Sequence, residues 1–346
     1  MNKVIQDDIA MILGSRLPWE FFKDTTVLVT GAAGLLPSYM VEVLLGMKAC
    51  KGYGPRRVLG LVRTLSKARK RFVHYWDRDD FALIEGDVAA PPSLDGPVDI
   101  IIHAASIANA RQIITDPAGT ITANMLGTFR MLELARAKCS QNFLFFSSGE
   151  VCGSPEPHQI PMREDIYCPV DPADIRACYA EGKRVGETMC TAWARQYGIE
   201  TRIVRPFHTY GPGMDLGGGW IYSDFINDII ARRNLLIKSD GLATRSFCYI
   251  ADATSGYFTV MMAGKIALPY NVGTGIETSI YELGCILVDE FKERTLSVII
   301  DAPHEKHPKL PPKRSAPDIT RLASLGWAPM TTIAQGFRRT VESYEL

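Results

Sequence analysis

Tyr179 and Lys183 stand four residues apart in Tyr179-Ala180-Glu181-Gly182-Lys183. On a helix that spacing puts both side chains on one face. A phenol with an ordinary pKa near 10 is a poor base at neutral pH. A lysine ammonium and a second positive charge in a dry site would stabilise the phenolate, and a drop of about three units is worth about 4 kcal/mol. Such a pair is suited to taking the proton of a hydroxyl whose carbon is being oxidised. Upstream, Ser147-Ser148-Gly149-Glu150 closes the apolar run Asn142-Phe143-Leu144-Phe145-Phe146. At the end of a strand, Ser148 is placed to hydrogen-bond the reacting hydroxyl and Glu150 to serve as a second acid/base. Tyr-x-x-x-Lys alone is unspecific; its position downstream of this serine–glutamate pair makes it a candidate catalytic set.

A second group of residues points to a phosphate-bearing ligand. Thr30-Gly31-Ala32-Ala33-Gly34-Leu35-Leu36-Pro37 follows a β-rich run and opens a helical pattern. Glycines there allow a sharp turn and close approach of the backbone, and a helix N-terminus offers free N–H groups to a pyrophosphate. Gly31, Ala33, Gly34, Leu35 and Leu36 are the expected contacts. Pro37 stands where a third glycine is usual; in a first helical turn it costs no hydrogen bond, but the helix is expected to pack more loosely on its strand. NAD-binding folds usually carry an acidic residue after the second strand. This chain has Arg63, which can stack on adenine; NAD is expected, with NADP the alternative if Arg63 meets a 2′-phosphate. Asp87, in Gly86-Asp87-Val88, is a candidate adenine contact.

The elements that must position these residues alternate. Strand patterns cover Thr26–Thr30 and residues 58–62, 81–84, 98–103, 142–147 and 201–205. Helical patterns cover 35–45, 121–138 and Ala177–Tyr197. The order predicts an α/β fold: a Rossmann-type doubly wound parallel sheet, with ligands at the C-terminal ends of the strands, and a smaller C-terminal substrate-binding lobe. Residues 1–24 read as a helical lead-in, 25–210 mainly as the dinucleotide-binding domain, and 211–346 mainly as the substrate lobe with some elements returning to the first domain. The Gly- and Pro-rich stretch from Gly211 opens that lobe, and Pro308 to Pro312 marks a late loop.

The chain of 346 residues has 38 basic and 38 acidic side chains, so no overall field favours nucleic acid or an anionic membrane. The local run Lys67 to Arg71 reads as a solvated face. Eight cysteines without a Cys-x-x-Cys pair suggest free thiols, a cytoplasmic setting and no zinc site. Neither a signal-peptide pattern nor a membrane-length apolar run is present, and no metal is expected.

The motifs TGAAGLLP, HAAS, NMLGT, SSGEVCG, RACYAEGKR, RPFHTYGP, RSFCYIAD and NVG, from about Val27 to Trp327, resemble in content and order the extended short-chain dehydrogenase/reductases of the NAD-dependent epimerase/dehydratase type. RACYAEGKRVGETMC and the late PDITRLASLGWAP are most similar to the UDP-glucuronate decarboxylase branch. The resemblance implies oxidation at C4 of a nucleotide-linked sugar with Tyr179 as base, loss of a carboxylate or proton activated by the C4 ketone, and return of hydride to C4. It adds Val88, Ala104, Ala105, Ser106, Asn124, Ser147 and Pro206 to the expected cofactor contacts. On the substrate side it implies Ser148, Gly149, Glu150, His208, Arg245 and Arg314, with Arg245 near the diphosphate or sugar and Arg314 near a late phosphate-contacting position whose spacing to Pro317-Asp318 is one residue longer here. It also implies a homodimer built on the helices over 121–138 and Ala177–Tyr197, with Met131, Leu134, Met189 and Trp193 to spare for the interface.

This chain departs from the family pattern in three places. Gly149 replaces the aspartate with which hexose 4,6-dehydratases protonate a leaving hydroxyl, and also the serine usual in decarboxylases. Ala105 to Arg111 matches only in part the Pro-rich loop that helps receive a sugar carboxylate, leaving Arg111 as a substitute. His208 and Trp220 replace an asparagine and an arginine. Decarboxylation of UDP-glucuronate is therefore the leading expectation, 4-epimerisation or 4,6-dehydration of another nucleotide sugar the alternative, and a non-catalytic cofactor-binding regulator a further one.

Overall fold

The structure is a computed structural model that describes residues 2–301 and 314–345; the Pro308 to Pro312 stretch expected as a loop lies outside the described residues. Its centre is a seven-stranded parallel sheet. In chain order the first six strands are β1 (Thr26–Thr30), β2 (Arg57–Val62), β3 (Phe81–Glu85), β4 (Ile100–His103), β5 (Asn142–Phe146) and β6 (Thr201–Pro206). Across the sheet they run β3-β2-β1-β4-β5-β6, and Pro269–Val272 adds the last strand beside β6. The chain reverses direction of travel across the sheet between β1 and β4, and the crevice at their C-terminal ends is where such sheets take ligands.

Both faces of the sheet are covered, so its strands are nearly continuous apolar runs. Val27 and Val29 of β1 face a core shared with α1 (Lys3–Leu13), α2 (Leu35–Lys51), the helix Ile250–Ala263 and the C-terminal helix Ile333–Glu345. Leu28 faces the other core, with Met131, Leu132 and Ala135 of α5 (Pro117–Ala137) and Cys190 of α6 (Ala177–Tyr197). The lead-in α1 is anchored by a buried carboxylate: Asp8 accepts from Tyr39 (3.0 Å) and Tyr249 (2.7 Å) and pairs with Arg339.

Two boundaries differ from the periodicity. The fourth strand starts at Ile100, and just before it the Asp99 carboxylate accepts from the Thr26 backbone N–H at 2.6 Å. The long helix starts at Pro117, four residues before the apolar pattern, because Asp116 caps it through the Gly119 N–H at 3.0 Å and proline suits the first turn. The basic run is also not wholly a solvated face. It forms α3 (Leu65–Arg71), in which Arg69 lies over Trp76 while Arg71 turns inward, 3.5 Å from the buried Glu42.

Candidate active site

β1 ends in Thr30, and Gly31 then takes a left-handed φ of 65°. A Cβ at Gly31 would stand 2.8 Å from Cα of Ala105, so β1 and the loop after β4 touch backbone to backbone. Gly34 follows as the N-cap of α2, where no side chain caps the free N–H groups of the first turn. Ala33, Leu35 and Leu36 line this turn. Pro37 is buried, so the looser contact expected at the third glycine position is not found.

Thr30 organises the opposite wall. Its hydroxyl accepts from the backbone N–H groups of Ala104 (3.2 Å) and Ala105 (3.1 Å) and meets His103 Nδ1 at 2.8 Å. With both lone pairs in use, the Thr30 hydroxyl donates a hydrogen bond to Nδ1, which leaves Nε2–H to donate to Thr128 (3.2 Å). Burial, followed by the Lys183 charge, pushes His103 down to about 3, so the ring is neutral as this pattern requires. Ser106 then donates to Asn124 Oδ1 at 2.7 Å, while Asn124 Nδ2 is buried with no hydrogen-bond partner among the described residues. Val88 is buried against Gly127, where a Cβ would meet its side chain at 2.7 Å.

A left-handed glycine at a tight crossing, an uncapped helix start and an unpaired amide donor fit a dinucleotide cradle. Arg63 is exposed just after β2. Asp87 is exposed and accepts from the Ala89 N–H (2.8 Å), which is the loop-capping role open to it in this state. Ser147 differs from expectation: its hydroxyl donates to Glu187 at 2.5 Å, and Glu187 also holds Arg205 at 2.7 and 2.8 Å. Only its backbone is left for a cofactor. Pro206 ends β6 beside Val272.

The catalytic candidates converge. The Tyr179 phenol is buried within hydrogen-bonding reach of the Ser148 and Ser106 hydroxyls. Residue spacing gives no sign of the Ser106 contact to the tyrosine; only the fold brings the loop after β4 to α6. Ser148 also caps the short turn Gly149–Cys152 through the Glu150 N–H (3.1 Å). Glu150 is crowded by protein atoms, yet 43% of its side chain stays open to solvent, as on the wall of a cleft. Crowding pushes its carboxyl up, opposed by Arg176 at 3.9 Å.

The expected electrostatics of Tyr179 need correction. Burial, then the Glu150 charge, pushes the phenol above its ordinary value, and the two serine hydroxyls only partly offset this. Lys183 is itself buried and pushed down to about 7, with its Nζ bonded to the Phe146 carbonyl (2.7 Å) and 5.9 Å from the Tyr179 ring centroid. Helical spacing places the pair correctly, but the low dielectric around it favours the neutral phenol. A base role therefore depends on a positive charge brought by the cofactor.

On the substrate side, Gly149 has a steric cause: a Cβ there would stand 2.8, 2.8 and 3.0 Å from ring carbons of Phe207. His208 sits near Trp220 and Phe247, with ring centroids 6.3 and 6.4 Å away, and burial pushes it down to about 3, helped by the nearby Arg245. Arg314 is not brought together with Arg245. Strand pairing aligns Arg314 with Thr244 and Ser315 with Arg245, so the two arginines point to opposite faces of their small sheet. Arg314 is engaged by Glu277 and by the Pro157 carbonyl (3.2 Å). Arg111 is exposed at the start of α4 (Ala110–Thr115), and no ion pair among the described residues ties it to the Ser148–Glu150 wall.

The model of the NAD dependent epimerase/dehydratase family matches residues 27–273. The chain belongs to this family. Its cofactor is accordingly NAD. Among its relatives, UDP-glucuronic acid decarboxylase 1 of Danio rerio is 32% identical over 320 residues, covering 92% of this chain and 72% of that protein. UDP-glucuronic acid decarboxylase 6 of Arabidopsis thaliana is 31% identical over 328 residues, 94% and 90% of the two chains. The fold of this epimerase/dehydratase superposes on UDP-glucose 4-epimerase of Thermotoga maritima with a TM-score of 0.78 at 22% identity, covering 93% and 99% of the chains. A UDP-glucuronic acid 4-epimerase of Bacillus cereus gives 0.76 at 21% identity, covering 93% and 99%. At these identities the likeness is one of fold.

Proposed function

We propose that this NAD-dependent enzyme acts on a nucleotide-linked hexuronate, decarboxylating UDP-glucuronate through a 4-keto sugar. Steric closure of position 149 by Phe207 argues against dehydration, and the choice of decarboxylation over 4-epimerisation rests on the decarboxylase relatives. Dehydration needs an acid for the leaving hydroxyl, and the wall between Ser148 and Glu150 has no room for one.

NAD, when bound, supplies the hydride acceptor and donor. The chain's own groups hold and move protons around the sugar. Ser148 orients the C4 hydroxyl, Tyr179 takes its proton, and Lys183 orders the Tyr179 face of α6 through the Phe146 carbonyl. Once C4 is a ketone, the electron pair of the C5–C6 bond passes into an enolate as carbon dioxide leaves. Glu150, whose carboxyl is pushed up by burial and opposed by Arg176, then manages the proton at C5. His208 and Arg245 belong to the substrate lobe, His208 as a neutral ring.

Incubation with a panel of nucleotide sugars tests the reading by mass spectrometry. Loss of the mass of carbon dioxide from UDP-glucuronate is expected; loss of water, or an unchanged mass with inverted stereochemistry, would overturn it.

We further propose a homodimer through α5 and α6. Met131 is not available for it, being fully buried in its own protomer, whereas Leu134, Met189 and Trp193 are only partly covered and Met125 is 42% exposed. A cytoplasmic setting is supported by eight free thiols; among the described residues no helix is long and apolar enough to cross a membrane.

A further inference from the structure

We infer that Arg176 is the residue that receives the carboxylate of the hexuronate, a reading that rests on the substrate class proposed above. Arg176 precedes α6 by one residue, and its backbone N–H is pinned by the Asp174 carboxylate at 3.0 Å. Its guanidinium reaches the cleft wall, 3.9 Å from Glu150, with 42% of the side chain open to solvent. That separation is an ion pair but not a hydrogen bond. A guanidinium has five N–H donors in a planar fork, so the fork keeps donors for a second carboxylate.

The other arginines at this wall are committed. Arg205 is bidentate to Glu187 and also holds the Glu164 carbonyl at 2.9 Å. Arg184 holds the carbonyls of Val151 (2.8 Å) and Cys168 (2.7 Å) and the Glu181 carboxylate. The sequence along the wall also fits a sugar. Tyr179 has Ser148 within hydrogen-bonding reach and feels the Glu150 charge, and Glu150 in turn faces Arg176 at 3.9 Å. A pyranose with its C4 hydroxyl at the first pair carries its C5 substituent one carbon further, toward Glu150 and Arg176.

Charge balance gives the arginine its role. A substrate carboxylate next to Glu150 is repelled unless a cation stands between them. As the C5–C6 bond breaks, its electron pair and the negative charge move to the C4 oxygen, away from Arg176, and neutral carbon dioxide leaves. The arginine therefore strengthens ground-state binding and adds nothing as the bond breaks, so its loss falls on KM rather than kcat.

The test compares UDP-glucuronate with UDP-glucose, whose C5 substituent is uncharged, by calorimetry on NAD-loaded protein. Wild type is expected to prefer UDP-glucuronate. In Arg176→Gln its affinity should fall roughly 10- to 100-fold, the range for a lost charge-assisted contact, while UDP-glucose binding changes little. Arg176→Lys should restore part of the loss, and KM should rise far more than kcat falls. If wild type prefers UDP-glucuronate and Arg176→Gln keeps that preference, the assignment of Arg176 is overturned and the substrate reading stands. Equal loss for both ligands likewise overturns Arg176 as a carboxylate receptor. If wild type shows no preference, the hexuronate reading itself fails.

Discussion

Replacing Gly149 by alanine puts one methyl group into the catalytic wall, and its cost follows from the geometry. The new Cβ would stand 2.8 Å from two ring carbons of Phe207 and 3.0 Å from a third. Ordinary carbon contacts lie at about 3.5–4.0 Å, so the ring must retreat by roughly 0.7–1 Å. It cannot do so freely, because Phe207 is buried against Cys152 and Met162. Overpacking of this kind costs about 1–3 kcal/mol. Gly149→Ala should lower stability by that amount in equilibrium urea unfolding, with an unchanged m-value. Because Ser148 and Glu150 flank the methyl, kcat should fall as well, by up to about 10²-fold for a displacement near 1 Å. Phe207→Leu removes the obstacle, so the double variant should be more stable than the sum of the single effects, with a coupling of about 1 kcal/mol or more. Additive effects, or a Gly149→Ala protein as stable and active as wild type, would refute the claim that Phe207 keeps position 149 to glycine.

Tyr179→Phe should abolish turnover while leaving the fold and NAD binding intact; near-normal kcat would remove Tyr179 as the base. Glu150→Gln should slow product formation by roughly 10²-fold or more, with less effect on the single-turnover absorbance change of NAD, and an unchanged product rate would make Glu150 structural. Lys183 titrates at about 7 in the fold and near 10.4 when unfolded. Between these values the unfolded chain binds the extra proton, so this group's contribution to stability rises with pH, by about 5 kcal/mol at most. Thermal midpoints of Lys183→Met should therefore rise less than those of wild type between pH 7 and about 10; parallel profiles would contradict the burial of the ammonium. Light scattering should give twice the chain mass at micromolar concentration, and a monomer would dismiss the α5–α6 interface.

What could be read from the chain was local. The Gly31 turn is legible because a β-rich run, a glycine and a helical pattern follow one another within a few residues. The Tyr179–Lys183 face is legible because helical spacing alone creates it. Features that depend on distant segments were not. Nothing near Gly149 in the chain shows that Phe207, beyond α6, fills the space of its side chain. The commitment of Ser147 to Glu187 needs β5 beside α6, and the separation of Arg245 from Arg314 needs the register of a two-residue pairing. The ionisation of Tyr179 could not be read from residue types, because the nearest lysine is turned to a carbonyl and burial outweighs it. Arg111 stands out in the sequence by its position after the fourth strand, whereas Arg176 is brought to Glu150 by the start of α6.

The central claim is loss of the hexuronate carboxyl group. It is tested most directly with UDP-glucuronate isotopically labelled at its carboxyl carbon and purified protein supplied with NAD, with labelled carbon dioxide collected over time. The account predicts stoichiometric release of label with the UDP-pentose, no net consumption of NAD, and no release from Tyr179→Phe. Conversion of the sugar with all of the label retained would contradict it.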